Sequence, residues 1–216
     1  MSAPTLGAVV VAGGSARRMG GVDKLCLDVG GRTLLDAVLA AALPLCTSLV
    51  VVGPRRPTGI AGVRFVTEVV TGGGPVPAVA AGMAELDDGA TAVLVLAGDL
   101  PLLATEDLRR LVAALGTAQV TAAAAVDDNG RPHPLVAVHR IEALADRLAG
   151  FRPMLEGLPA ARLLPPDVAT VALRPEAVLN VNCPADLERA RSVVDAQSAR
   201  RARLGATRGG SPGIFG

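Results

Sequence analysis

The stretch "VVVAGGSARRMGGVDK", residues 9–24, decides the fold class of this chain. Its opening run of β-branched residues is typical of a strand that is covered on both faces of a parallel sheet. The pair Gly13 and Gly14 ends this run, and the next ten residues contain two arginines, one lysine and two further glycines. Ligands of open α/β sheets bind beyond the carboxyl ends of the strands, so this basic loop lies where an anion would bind.

Short apolar runs typical of strands recur along the chain and alternate with helical patterns. In the first half, further strands are predicted at residues 48–53, 63–68, 91–99 and 120–126, and helices at residues 33–43, 77–86 and 105–115. Strands that alternate with helices indicate parallel crossovers. The sequence therefore predicts an α/β fold with three layers, α/β/α, around a mostly parallel, Rossmann-like sheet.

The second half of the chain is less regular. Residues 127–140 contain an Asn-Gly turn before an apolar run, which predicts a hairpin and with it an antiparallel strand. A helix at residues 141–148, a partly helical stretch at 151–164, a strand at 168–173 and a last helix from Pro184 complete the pattern.

Length and periodicity predict one domain in residues 1–197, because α/β domains reach about 250 residues before they split. Half of the 216 residues are hydrophobic, which is enough for a substantial core. From residue 198 the periodicity is lost and Arg, Gly and Ser accumulate, so residues 198–216 are predicted to form a disordered basic tail.

Composition excludes several classes of partner. Trp and Tyr are absent and only three Phe occur, so the bases of single-stranded nucleic acid find no aromatic stacking platform. The formal net charge of +1 gives no global attraction to nucleic acid or to an anionic membrane. No N-terminal signal segment is visible, and no apolar run approaches the roughly 18 residues of a membrane span. The expected location is the cytoplasm.

The cysteines and histidines do not form a metal or disulfide pattern. Cys26, Cys46 and Cys183 are odd in number and lack Cys-x-x-Cys spacing, which fits a reducing compartment. His133 and His139 have no partners at the spacing of zinc ligands. We expect the cysteines to be small core hydrophobes and expect no zinc site.

The basic loop has the properties of a phosphate site. Gly13 and Gly14 let backbone N–H groups approach an anion, and Arg18 and Lys24 supply positive charge. It is not a Walker loop, because Leu25 follows the lysine, and the dinucleotide G-x-G-x-x-G is also missing. The alternative is that the glycines serve only the turn and the arginines are solvated.

Residues 12–24, "AGGSARRMGGVDK", resemble the LAGGxSxRMGxDK signature of the molybdenum cofactor guanylyltransferases, with Val11 in place of the usual Leu. Further segments at residues 30–39, 72–83, 95–103, 133–140 and 180–187 also resemble this family. The resemblance implies the fold of the nucleotide-diphospho-sugar transferases. It also implies transfer of GMP from GTP to molybdopterin, which gives the pterin guanine dinucleotide and pyrophosphate with Mg²⁺ as cofactor.

Asp99 is the candidate metal ligand. It follows a wholly apolar strand, where an unpaired carboxylate is costly, and Mg²⁺ is a suitable partner for a carboxylate that faces phosphates. The alternative is a cap for the next helix, although Thr105 is predicted to cap that helix. The resemblance implies that Asp99 holds Mg²⁺ while Arg18 and Lys24 neutralise the triphosphate.

The resemblance assigns the other site residues as well. It implies that Arg18, Lys24, Asp99 and Asn182 are catalytic and that the nucleotide is bound by Val11, Ala12, Gly13, Gly14, Arg18, Lys24, Glu68, Gly74 and Asp99. Asn180 and Asn182 stand in "NVNCP", which resembles the family's N-x-N-T-P; an Asx-type turn is the alternative. The chain departs from the family at Glu68, where many relatives carry Asp, and at Pro54, where relatives often carry Asn. Both departures bear on recognition of the base or ribose.

The sequence leaves three other functions open. They are CMP transfer to the same pterin, nucleotidyl transfer to another phosphorylated acceptor, and a non-catalytic nucleotide-binding adaptor. Retention of both Lys24 and Asp99 argues against the adaptor, since binding alone requires no metal carboxylate. Molybdoenzymes or their chaperones are the expected protein partners.

Overall fold

The computed structural model describes residues 4–13, 23–67, 72–117, 119–127 and 129–208. Within these ranges seven strands form one sheet: β1 Leu6–Val11, β2 Cys46–Val52, β3 Val63–Val66, β4 Ala92–Ala97, β5 Ala122–Val126, β6 Pro132–Arg140 and β7 Ala169–Ala172. The helices are α1 Leu34–Ala42, α2 Pro75–Met83, α3 Thr105–Thr117, α4 Ile141–Ala149 and α5 Pro184–Arg208.

The strand order in the sheet is β3-β2-β1-β4-β6-β5-β7. β1 lies between β2 and β4 and is parallel to both, and β3 is parallel to β2. β6 is antiparallel to its neighbours β4 and β5, whereas β7 is parallel to β5. The predicted hairpin and the predicted mostly parallel sheet with an antiparallel strand are confirmed. Gly130, with a φ of 73°, occupies the turn of the hairpin as the Asn-Gly pattern requires.

Helices cover both faces of the sheet, because the side chains of each strand alternate between its faces. Val10 of β1 packs into a core with α1, α3 and α5, whereas Val9 packs into a second core with α2 and α4. Both valines are fully buried. The backbone of α2 approaches β1 closely, since a Cβ added at Gly82 would lie 2.5 Å from Val9 Cγ1. The three-layer α/β/α prediction is confirmed.

The start of α3 differs from the sequence prediction. The Thr105 hydroxyl does not cap the helix but donates to the Ala41 carbonyl oxygen at 2.9 Å. Asp107 caps instead, since its Oδ2 accepts from the Ala104 N–H at 3.0 Å. This carboxylate is only 3% exposed and also pairs with Arg174 at 2.6 Å, so tertiary packing selects it over the threonine.

Helix α5 is longer than the sequence predicts. It continues to Arg208, past residue 198, where the sequence predicts the tail to begin. Ala, Arg and Leu in this stretch are strong helix formers, and extending an existing helix needs no new nucleus. Residues 209–216 lie outside the described part of the chain. No described helix, α5 included, is both long and apolar enough to cross a bilayer.

Candidate nucleotide-binding site

A cavity of about 140 Å³ lies at the carboxyl ends of β1 and β4. The register of these strands pairs Val11 with Ala97, so the segments that follow them leave the sheet side by side. The cavity is lined by Val11, Ala12, Gly13, Asp23, Lys24, Leu25, Arg56, Ala97, Gly98, Asp99, Leu135 and Asn180. It therefore lies at the edge of the sheet where the sequence predicts an anion site.

Lys24 connects three separate segments at this cavity. Its Nζ donates to Asp99 Oδ2 at 2.6 Å, to Asn182 Oδ1 at 3.0 Å and to the Val181 carbonyl oxygen at 3.2 Å. An ammonium group has three donors, and these oxygens can accept all of them. The structure thus brings together three predicted catalytic residues, Lys24, Asp99 and Asn182, from distant parts of the chain.

The Asp99 carboxylate is only half satisfied. Its side chain is 13% exposed, and Oδ1 is buried without a hydrogen-bond partner. Asn180 Oδ1 is buried and unpartnered in the same way, and both residues line the cavity. Unpaired buried oxygens are costly. These two atoms therefore favour a bound group that interacts with the lone pairs of oxygen.

The oxygen atoms at the cavity fit Mg²⁺. A hard cation prefers carboxylate and amide oxygens, and Mg²⁺ is commonly held by one or two carboxylates together with substrate phosphates. Asp99 Oδ1 and Asn180 Oδ1 supply such donors. Within the described ranges, no three Asp, Glu, His or Cys side chains converge, so substrate oxygens and water would complete the coordination.

Asp99 does not act as the helix cap that the sequence left as its alternative. Its Oδ2 contacts Lys24, and the cap of α3 comes from Asp107. Its backbone carbonyl accepts from the Val181 N–H at 3.0 Å, which ties the end of β4 to the segment before α5.

Asp186 organises the turn that presents Asn182 to Lys24. Its Oδ2 accepts from the backbone N–H groups of Asn182 and Cys183 at 2.8 and 2.9 Å. These hydrogen bonds lower the pKa of the Asp186 carboxyl, which lies in the first turn of α5. Asp186 therefore caps the backbone, and the Asn182 side chain is left to contact Lys24 rather than to form an Asx-type turn.

Arg56 is a site residue that the sequence analysis missed. Its side chain is only 7% exposed, and its Nε donates to Asp23 Oδ2 at 2.6 Å. Its Nη1 donates to the carbonyl oxygens of Ala12 and Pro54, both at 3.1 Å. In the sequence it belongs to "PRRP", where nothing distinguishes a buried arginine from a solvated one.

Gly53 lies against the end of β1. Its φ is 147°, and a Cβ at this position would lie 2.7 Å from the Ala12 carbonyl oxygen and 3.0 Å from the Gly13 nitrogen. Such a φ strains residues with a side chain, and the carbonyl belongs to a paired strand end that cannot move freely. Only glycine therefore fits here, beside the carbonyl that Arg56 also contacts.

Substitution Gly53→Ala is expected to lower the free energy of unfolding by about 2 kcal/mol, because backbone strain and crowding act together. The matched control is Gly31→Ala, where φ is 82° but nothing lies within 4 Å of the added Cβ. This control is expected to lose about 1 kcal/mol through backbone strain alone. Urea unfolding measures both values, and equal losses in the two variants would contradict the crowding at Gly53.

The remaining predicted residues are distributed as follows. Val11, Ala12 and Gly13 line the cavity, whereas Gly74 lies outside its lining and precedes α2 as the N-cap, with a φ of 99°. The predictions for Gly14, Arg18 and Glu68 fall outside the described residues.

The prediction that the cysteines are core residues is wrong, because Cys26 is exposed and Cys46 and Cys183 are half-buried. The thiols of Cys46 and Cys26 are not activated. Burial raises the pKa of the Cys46 thiol to about 12. Partial burial and then the nearby Asp23 carboxylate raise the pKa of the Cys26 thiol. Neither thiol is ionised near neutral pH, so neither is suited to nucleophilic catalysis.

Comparison with known proteins places these features in a family. Residues 8–162 match the MobA-like NTP transferase domain. A probable molybdenum cofactor guanylyltransferase of Mycolicibacterium paratuberculosis is 32% identical over 194 residues, which cover 84% of this chain and 93% of the relative. A molybdenum cofactor guanylyltransferase of Acidiphilium cryptum is 34% identical over 198 residues, covering 86% and 93% of the two chains.

Solved structures agree on the fold. Molybdopterin-guanine dinucleotide biosynthesis protein A of Archaeoglobus fulgidus superposes with a TM-score of 0.66 at 22% identity, over 88% of this chain and 99% of that chain. 2-C-methyl-D-erythritol 4-phosphate cytidylyltransferase of Thermus thermophilus superposes with a TM-score of 0.63 at 24% identity, over 87% and 98%. The resemblance seen at residues 12–24 is thus confirmed by matches that span most of the chain. The chain belongs to the family of MobA-like NTP transferase domains and is a nucleotidyltransferase.

Proposed function

We propose that this protein transfers GMP from GTP to molybdopterin and releases pyrophosphate in a Mg²⁺-dependent reaction. The observation that carries the proposal is the contact of Lys24 with Asp99 and Asn182 beside two unpartnered oxygens, in the cavity at the carboxyl ends of β1 and β4. The relatives named molybdenum cofactor guanylyltransferase support the choice of guanine and of the pterin acceptor.

The reaction requires stabilisation of developing negative charge rather than covalent catalysis. An oxygen of the terminal phosphate of molybdopterin attacks the α-phosphorus of GTP and forms a new P–O bond. The bond from this phosphorus to the bridging oxygen breaks, and pyrophosphate leaves with the electron pair. Negative charge develops on the phosphate oxygens, and preorganised donors stabilise it.

The described residues can be assigned to these tasks. Lys24 supplies the positive charge for the phosphates, and Gly13 supplies a backbone without side-chain obstruction at the end of β1. Asp99 and Asn180 would hold Mg²⁺ through their unpartnered oxygens. A bound Mg²⁺ would neutralise charge on the phosphate oxygens of the nucleotide.

The base and the acceptor are tested together in one assay. The purified protein is incubated with molybdate-loaded molybdopterin, Mg²⁺ and either GTP or CTP, and the pterin dinucleotide is detected by mass spectrometry. We expect a guanine dinucleotide that fails to form when Mg²⁺ is removed by a chelator.

Each other result changes a different part of the proposal. A cytosine product would keep the mechanism and overturn the choice of nucleotide. Nucleotide binding without any dinucleotide would indicate another acceptor or a binding module. A guanine product at full rate in chelator would overturn the role of Mg²⁺.

The proposed setting of the reaction is the cytoplasm, with molybdoenzymes or their chaperones as recipients of the product. The three cysteines, Cys26, Cys46 and Cys183, are free thiols, as a reducing compartment would maintain them.

A further inference from the structure

Arg56 contacts three segments that converge on the cavity. Its guanidinium binds the Ala12 carbonyl at the end of β1, the Pro54 carbonyl after β2, and the Asp23 carboxylate next to Lys24. We propose that Arg56 is a positioning residue of the nucleotide site, which sets the place of Lys24 relative to the end of β1. This inference rests on the proposed nucleotide site and adds a residue to which the family resemblance gave no role.

The link from Arg56 to Lys24 passes through Asp23. One carboxylate oxygen of Asp23, Oδ2, accepts from Arg56, and the other, Oδ1, accepts from the Leu25 N–H at 3.2 Å. That second hydrogen bond caps the short 3₁₀ turn Lys24–Cys26. The orientation of the turn, and with it the start of the Lys24 side chain, therefore depends on where Arg56 holds Asp23.

The Nη1 group of Arg56 binds the chain before the basic loop, at the Ala12 carbonyl oxygen. Ala12 precedes Gly13, the last described residue before that loop, and Asp23 is the first described residue after it. Arg56 binds Ala12 and Asp23, together with Pro54. One planar guanidinium can donate in several fixed directions at once, which the point charge of a lysine cannot do.

The burial of Arg56 supports a positioning role. Its side chain is 7% exposed, whereas that of its partner Asp23 is 43% exposed. Moving a guanidinium out of water is costly unless its hydrogen bonds are replaced, and here they are replaced by two carbonyls and one carboxylate. A charge held in this manner stabilises one arrangement of the strand ends and penalises others.

The test is a double-mutant cycle on nucleotide affinity. The dissociation constants of GTP and of CTP with Mg²⁺ are measured by titration calorimetry for wild type, Lys24→Met, Arg56→Met and the double variant. We expect Lys24→Met to weaken binding of the preferred nucleotide about 10- to 100-fold in the wild-type background. In the Arg56→Met background the same change should weaken binding by less than about threefold, since Lys24 is no longer correctly placed.

Two further variants control the cycle. Arg55→Met removes the neighbouring arginine, whose guanidinium lies over the Phe65 ring at 5.9 Å, and should leave the full effect of Lys24→Met in place. Asp23→Asn removes the carboxylate charge that pairs with Arg56 and should reduce the effect as Arg56→Met does. If Arg56→Met fails to fold, the Asp23→Asn variant provides the same test.

The outcomes separate this inference from the proposed reaction. Additive effects of the Lys24 and Arg56 substitutions overturn the positioning role, even if the dinucleotide forms. Coupled effects without dinucleotide formation support the positioning role and overturn the proposed acceptor. A wild-type protein that binds neither GTP nor CTP overturns both.

Discussion

Substitution Asp99→Asn is expected to lower kcat/KM for dinucleotide formation by a factor of about 10² to 10³. The change keeps the size of the side chain but removes the negative charge that holds Lys24 at 2.6 Å, and it replaces the carboxylate proposed for Mg²⁺ by a neutral amide. Loss of one preorganised electrostatic contact in such a site typically costs about 3 to 4 kcal/mol of transition-state stabilisation.

Steady-state kinetics over a range of Mg²⁺ concentrations checks this prediction. We expect the variant to need more Mg²⁺ for its residual activity, because a carboxylate ligand has become a neutral amide. Asp87→Asn is the matched control, since Asp87 pairs with Arg64 at 2.6 Å on an exposed part of the surface, and its activity should stay near that of wild type. A folded Asp99→Asn variant with near wild-type turnover would remove Asp99 from the proposed machinery.

The second large effect concerns stability at acidic pH and involves His139. This residue of β6 is 2% exposed, and its Nε2 is buried without a hydrogen-bond partner. Burial first, and then the nearby Arg147 of α4, lower the pKa of the imidazole from 6.5 to about 4. We therefore expect the free energy of unfolding to fall by about 3 kcal/mol between pH 7 and pH 4 through this group alone.

The sign follows from the protons bound in each state. Below pH 6.5 the unfolded chain protonates His139, whereas the folded chain does so only near pH 4. The unfolded state therefore gains stability as pH falls through this window, and above the window the two states do not differ. The stability of the fold is then fully retained at neutral pH and lost on acidification.

Urea unfolding at pH 7 and pH 4 measures this contribution. His139→Leu should reduce the loss of stability on acidification by about 3 kcal/mol compared with wild type. His133→Leu removes the other of the two histidines and should leave the loss unchanged. Equal acid sensitivity of wild type and His139→Leu would show that the buried imidazole is not the cause.

Much of the candidate site could be predicted from the sequence, because its parts follow strands. The β-branched run before Gly13 and the apolar run before Asp99 mark two strands, and the carboxyl ends of parallel neighbours meet at one edge of a sheet. The loop composition and the family resemblance then pointed to phosphate. The contact of Lys24 with Asp99 spans 75 residues of sequence and was not foreseen, because no local pattern encodes such a pairing.

The choice of cap residue for α3 also depends on a contact that the local sequence does not encode. Thr105 and Asp107 both suit the start of a helix by local rules. The structure selects Asp107 because Arg174, 67 residues away, pairs with its carboxylate. Helix α5 likewise continues past residue 198, where amphipathic periodicity is lost, because the residues there still favour a helix.

The sequence by itself therefore determined the class of fold and the edge of the sheet that carries the candidate site. Both depend on local composition or on the order of strands and helices, which the chain encodes within short windows. The family resemblance named Lys24, Asp99 and Asn182, and the structure brings these three residues into contact. Only the tertiary structure decided that Arg56 is buried, that it joins Ala12 to Asp23, and that Asp99 retains an unpartnered oxygen. Burial and pairing depend on residues far apart in the chain, and they exist only once the sheet and its helices have packed together.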